Sequence, residues 1–182
     1  VEAANAAVIE AALNGLGKPG MGCTATCAYI ENDTIAIAHV GDSRAYLLHE
    51  GTLIRVTRDH SYVEELVDAG EITADEARVH PNRSVITRAL GSDPAMYADH
   101  FTLHIDEGDR LILCSDGLSS MIPDSDIENI ATQSSTAQIC VDNLVDAALA
   151  AGGHDNVTVV VVDLVDDGVM REAKRVRRRN VT

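Results

Sequence analysis

Asp109-Arg-Leu-Ile-Leu-Cys-Ser-Asp-Gly117 is the stretch on which the fold turns. Leu111, Ile112, Leu113 and Cys114 form a short apolar run between turn formers, the pattern of a buried strand. Asp116 and Gly117 follow at once. A carboxylate at the end of a core strand is held rigidly yet can face solvent, a good position for chemistry. A second acid stands in a similar place. His154-Asp-Asn156 leads into Val157-Thr-Val-Val-Val-Val-Asp-Leu164, a strongly β-branched run. If the two strands lie antiparallel in one sheet, the end of the first sits beside the start of the second. Asp116 and Asp155 then share one edge.

The remaining chain supports one domain. Its 182 residues suffice for a real hydrophobic core. With no Trp and one Phe, that core must come from Val, Ile, Leu and Ala. No apolar stretch reaches membrane-spanning length, and no signal peptide is visible. The net charge is −15, unevenly spread. Between Arg171 and Arg179, six basic residues face one acid, Glu172, so the rest carries −20. A body this acidic repels nucleic acid and attracts divalent cations. Cys23, Cys27, Cys114 and Cys140 have apolar or small neighbours and no zinc-like spacing. They read as buried, reduced thiols of a cytoplasmic protein. The chain begins at Val1 inside a helical pattern, without a Met or a capping residue, and so reads as a piece of a longer protein.

Periodicity predicts a helix over 1–16, with Val1, Ala4, Val8, Ala12 and Leu16 as a core-facing stripe. A meander follows, with strands over 23–30, 34–40, 44–49 and 52–56. Residues 57–91 then form a polar insertion. Ser61-Tyr-Val-Glu64 and Thr73-Ala-Asp-Glu76 are capping-box patterns that open two short helices, and the segment reads as a mobile flap. Phe101, Leu103 and Ile105 alternate with polar residues in a further strand. Short and longer helices are expected over 123–131 and 135–151, and the last strand over 156–164. Residues 169–182 read as a basic linker or disordered tail. Strands grouped apart from helices indicate an α+β domain of antiparallel sheets covered by helices.

Three acids stand at turns beside strands: Asp42, Asp116 and Asp155. An Asp before Gly or Asn is usually only a turn residue. Repetition at strand ends that can converge argues for more. Mg²⁺ and Mn²⁺ want oxygen ligands and need few carboxylates. No zinc motif and no supported Ser-His-Asp set occurs. His39 and His104 read as partly buried structural residues. His60, at the entry of the insertion, is the candidate for proton transfer or substrate contact, against a local capping role.

Gly20-Met-Gly-Cys-Thr24, His39-Val-Gly-Asp-Ser-Arg-Ala-Tyr46, Thr57-Arg-Asp-His60, His80-Pro-Asn-Arg83, Ile86-Thr-Arg-Ala-Leu-Gly91, Leu113-Cys-Ser-Asp-Gly-Leu118 and Asp155-Asn-Val-Thr158 occur in this order. Together they resemble the metal-dependent protein phosphatases of the 2C family, of the bacterial serine/threonine type, over roughly residues 1–165. The resemblance implies two antiparallel β-sheets sandwiched between helices, α-β-β-α, with the flap at 57–91 in a domain spanning 1–168. It implies hydrolysis of phosphoserine and phosphothreonine by a water activated on Mn²⁺ or Mg²⁺, two or three ions in the complete domain. Asp116 and Asp155 would ligate the second of the two main metals. Asp42 would join Asp116 at a third site near the flap. Arg44 would brace its turn, with phosphate binding as the alternative. The substrates would be phosphoproteins made by a bacterial serine/threonine kinase. The family's upstream acidic strand, its basic phosphate-binding residue and its Asp-Gly-x-Gly-Gly segment, whose Asp bridges the two metals, do not occur in this sequence. The N-terminal sheet strands are therefore expected to be missing. A non-catalytic, phosphatase-like binding or regulatory module is the alternative reading of the chain as it stands.

Overall fold

A computed structural model describes residues 1–165. The meander forms as expected. β1 (Ala25–Glu31), β2 (Thr34–Val40), β3 (Arg44–His49) and β4 (Thr52–Arg55) precede β5 (Asp99–His104), β6 (Arg110–Cys114) and β7 (Val159–Asp163). They build two antiparallel sheets, one ordered β1-β2-β5 and the other β4-β3-β6-β7. Among the described residues six helices accompany them: α1 (Glu2–Leu13), α2 (Tyr62–Asp68), α3 (Ala74–Val79), α4 (Asp116–Ser119), α5 (Asp124–Gln133) and α6 (Ala137–Ala150). The class is α+β. Among the described residues, no helix is long and apolar enough to cross a membrane.

The unbroken apolar run of β6 has a direct cause: both of its faces are covered. Ile112 and Cys114 face the helical side and pack with Leu118, Ile127, Cys140 and Leu144. Leu111 turns the other way, with Ala45 and Leu47, to meet Ile35 and Ile37 of the second sheet. A strand buried on both faces has no polar alternation to show. At roughly 25 cal/mol per Å² of apolar surface removed from water, these two layers supply the main drive for folding. Arg110 ties the far end of β6. It pairs with Asp163 at 2.6 Å and donates to the carbonyls of Ala131 and Ser134, which end α5.

The segment 57–91 carries α2 and α3. Ser61 accepts from the Glu64 N–H, and Thr73 with Glu76 forms a complete capping box. Backbone bonds between Tyr62 and Val85 and between Thr87 and His60 close the segment on itself, and those from His60 to Gly41 and between Leu90 and Cys23 join it to the body.

Several expectations do not hold. α1 buries only Asn5, while Leu13 and Leu16 are more than 80% exposed. Six of its twelve residues are alanine, so it presents no distinct apolar face. Its anchor is polar instead: the Asn5 side chain donates to the Asp93 carbonyl and accepts from the Gly91 N–H. Cys23 and Cys27 are exposed, and only Cys114 and Cys140 are buried. Cys27 points to the outer face of the three-stranded sheet, because strand side chains alternate. His104 lies on that same outward face and is exposed, whereas His39 is fully buried. α4 was not foreseen. The expected tail, 169–182, lies outside the described residues.

Candidate metal centre

β3, β6 and β7 are neighbours, and their ends bring the three acids to one edge. Arg44 pairs with Cys114, and Cys114 with Val159. Continuing the first register by two residues sets Asp42 level with Asp116, which opens α4. The loop before β7 carries Asp155.

Close contacts hold that loop down. The Ser115 N–H donates to the Thr158 carbonyl at 3.0 Å, and its hydroxyl accepts from the Thr158 N–H at 3.0 Å. The same hydroxyl donates to the Asn156 carbonyl at 3.2 Å. Gly117 completes the fit, because a Cβ there would stand 2.3 Å from the Asn156 oxygen. No side chain can occupy that space. Asp42 is placed by a different device. Gly41 adopts φ 109°, a region that favours glycine. The Thr24 and Ser43 hydroxyls lie 2.9 Å apart beside it and brace the turn.

The electrostatics show crowded negative charge. Burial, and then the neighbouring Asp116 and Asp59, push the Asp42 carboxyl up to about 6. Burial, and then Asp155, raise Asp116. Carboxylates that repel one another in a low-dielectric pocket favour a proton or a cation between them. The donors are hard oxygens, suited to Mg²⁺ or Mn²⁺. Among the described residues, however, no three His, Cys, Asp or Glu converge closely enough to complete an ion site. The acids fit a divalent ion as part of a ligand set, with water or further oxygens filling the remaining positions.

Arg44 is fully engaged. Its Nε and Nη2 clasp Asp59 at 2.8–3.1 Å, and Nη1 donates to the Tyr46 hydroxyl at 3.1 Å. That hydroxyl donates to Asp124 at 2.9 Å. Arg55 joins the network, with Nη2 2.8 Å from Asp59 and 3.1 Å from Glu64 of α2. Asp59 is therefore the hub between turn and flap, a role that sequence reading did not assign although it quoted the motif. His60 does not enter the cleft. It is 4% exposed and lies behind the Gly41 turn, with both ring nitrogens engaged.

A cavity of about 280 Å³ opens between flap and body. Asp42 and Asp116 line one side; Glu64, Arg78 and Arg83 from the flap line the other. Arg78 Nη2 donates to the Met121 carbonyl at 3.1 Å, so α3 is fastened to the segment just after α4. A rigid acidic rim therefore faces a roomy cleft walled by arginines. Such a cleft has room for an anionic group beside a bound ion.

Comparison with known proteins points the same way. The family model for Protein phosphatase 2C matches residues 10–157. The serine/threonine phosphatase stp of Listeria welshimeri is 36% identical over 163 residues, covering 90% of this chain and 65% of the relative. The chain thus spans slightly less than two thirds of that protein's length. The crystal structure of the Mycobacterium tuberculosis serine/threonine phosphatase PstP/Ppp matches with a TM-score of 0.83 at 39% identity, covering 89% of this chain and 68% of that one. A structure of the PstP catalytic domain in complex with two manganese ions matches with a TM-score of 0.82 at 37% identity, covering 91% and 69%.

Proposed function

Because the chain belongs to the protein phosphatase 2C family, we propose that it is a metal-dependent serine/threonine phosphatase. It would act on phosphoproteins made by a bacterial serine/threonine kinase in the cytoplasm. Residues 1–168 form its phosphatase domain in this reading, with 57–91 as the flap.

One observation supports this reading most: Asp42, Asp116 and Asp155 sit at adjoining strand ends, Asp42 and Asp116 line an open cleft, and Asp116 raises the proton affinity of Asp42 as Asp155 raises that of Asp116. Asp116 and Asp155 would share one Mn²⁺ or Mg²⁺, and Asp42 with Asp116 another, two or three ions in all when the family's bridging acid is present. Such ions lower the pKa of water and neutralise charge on a phosphoryl group, the needs of phosphate-ester hydrolysis. The chain's own residues set the stage. Ser115 and Gly117 fix the Asp155 loop over α4. Arg44, held by Asp59 and Tyr46, keeps the Asp42 turn from shifting. The flap arginines Arg78 and Arg83 give the cleft a cationic wall for an anionic substrate.

The family's Asp-Gly-x-Gly-Gly segment does not occur in the sequence. The test therefore compares the chain alone with the chain joined to a segment bearing that motif. Phosphate release from a phosphothreonine peptide is followed with Mn²⁺ and with EDTA. Mn²⁺-dependent release by the joined protein, lost in its Asp116→Asn form, supports the reading. Equal rates for the two remove the metal role, and no release under any condition favours a binding module.

A further inference from the structure

Behind Asp42, outside the cleft lining, a chain of polar groups runs from buried His60 out to half-buried Asp99 and Arg88. His60 Nδ1 is 3.0 Å from the Gly41 backbone nitrogen. A backbone N–H can only donate, so Nδ1 carries the lone pair. The neutral ring then holds its proton on Nε2, which donates to Asp99 Oδ2 at 3.0 Å. Arg88 Nη1 also lies 3.0 Å from Nε2. Two donors cannot bond one another, so the bond of Arg88 goes to Asp99 Oδ1 at 2.6 Å.

Each member of the chain is itself held. Arg88 Nη2 donates to the Tyr97 hydroxyl at 3.1 Å, and the guanidinium lies over the Tyr97 ring, 4.1 Å from its centroid. Burial works to raise the Asp99 carboxyl, but the bonds from His60 and Arg88 outweigh it and hold Asp99 below the usual range. Asp99 thus stays an acceptor for the Nε2 proton. His39 closes the other side. Its ring centroid is 4.9 Å from that of His60, and its own Nε2 donates to the Arg58 carbonyl at 3.0 Å.

His60 also reaches Gly41 a second way, because its backbone N–H donates to the Gly41 carbonyl at 2.8 Å. Both polar groups of one glycine are therefore held by one histidine. That glycine is the residue before Asp42, and its φ of 109° aims the next side chain. We propose that His60 is a positioning residue for Asp42: Asp99 and Arg88 fix its tautomer, and its two-way grip on Gly41 fixes where the Asp42 carboxylate stands. Its consequence for ion binding rests on the metal-dependent reading above. Removing a group that orients a metal ligand commonly lowers affinity 10–100-fold.

The experiment uses the chain labelled with ¹⁵N, in native, His60→Ala, His60→Asn, Asp42→Asn and His60→Ala/Asp42→Asn forms. In the Asn variant, the amide oxygen takes the place of Nδ1 and can still accept from Gly41. The native chain should show scalar coupling between the Gly41 nitrogen and His60 Nδ1; its absence overturns the proposal. Mn²⁺ titration followed by electron paramagnetic resonance should show about a 10–100-fold loss in His60→Ala. His60→Asn should recover most of it, and His60→Ala should add nothing in the Asp42→Asn background. An equal loss in both backgrounds, or a fall in melting temperature with Mn²⁺ affinity unchanged, overturns the proposal. A native chain with no Asp42-dependent Mn²⁺ binding overturns the metal reading instead. His60 is then decided by Gly41 amide exchange: about tenfold faster exchange in His60→Ala than in His60→Asn, which converts to about 1.4 kcal/mol and matches the loss of one hydrogen bond, upholds the role. Equal exchange removes it.

Discussion

Ser115 and Thr158 are bonded in both directions, backbone to backbone and backbone to hydroxyl, at the point where β6 and β7 release the loops bearing Asp116 and Asp155. The Ser115 hydroxyl is the part a mutation can remove. Ser115→Ala leaves the Thr158 N–H and the Asn156 carbonyl without their partner. The expected loss is about 1–2 kcal/mol of stability, read by urea unfolding. Mn²⁺ affinity should fall about tenfold, as for other residues that orient metal ligands. Unchanged Mn²⁺ affinity would show that Asp155 is placed by something else.

Gly117 makes a sharper case, because sterics alone decide it. An alanine Cβ would sit 2.3 Å from the Asn156 oxygen and 2.9 Å from its carbonyl carbon. Both atoms are backbone, so the loop itself must move. Gly117→Ala should destabilise the fold by about 1–3 kcal/mol, the usual range for overpacking. It should weaken Mn²⁺ binding more than Ser115→Ala does. Calorimetry on the two variants orders them.

Arg44 separates bracing from ligation. It is mostly buried and clasps an equally buried Asp59. Breaking such a buried pair outright costs about 3–5 kcal/mol; Arg55 stays 2.8 Å from Asp59, so the loss of Arg44 falls toward the low end of that range. Arg44→Ala should therefore lower the urea midpoint strongly. Arg44→Lys should recover only part of this, since a lysine cannot reproduce the two-pronged contact.

The acid pair also predicts a pH dependence. The folded-state pKa of Asp42 is raised from 3.8 to about 6. For an acid this shift means that the folded form holds its proton more tightly than the unfolded one. Stability therefore falls as pH rises between about 4 and 6 in the ion-free protein, by on the order of 3 kcal/mol. A divalent ion takes the proton's place. The rise in melting temperature on adding Mn²⁺ should be larger at pH 7 than at pH 5. Asp42→Asn should flatten the ion-free profile and shrink the Mn²⁺ effect.

Much of this was readable from residue order. The run from Leu111 to Cys114 reads as a buried strand, and the β-branched run after Asn156 as its partner. Asp42, Asp116 and Asp155 followed as acids at converging strand ends. What stayed hidden depends on contacts between distant segments. Alanine-rich α1 looks amphipathic by spacing, yet Asn5 anchors it. Cys27 looks buried by its neighbours, but strand alternation turns it outward. α4 is four residues long and has no side-chain cap, so it left no periodic signal. His60 lies in a motif beside the flap, and only the fold shows that it faces inward to Gly41. Asp59 gathers Arg44 and Arg55 from separate strands, a convergence that spacing along the chain does not reveal.

The central claim is that Asp116 shares divalent ions with Asp155 and Asp42. Titration of the native chain and its Asp116→Asn variant with Mn²⁺, followed by electron paramagnetic resonance, tests it most directly. The native chain should bind Mn²⁺ and the variant should lose at least about 100-fold in affinity, since a ligand counts for more than its supporting partners. Equal Mn²⁺ binding by the two folded proteins would contradict it.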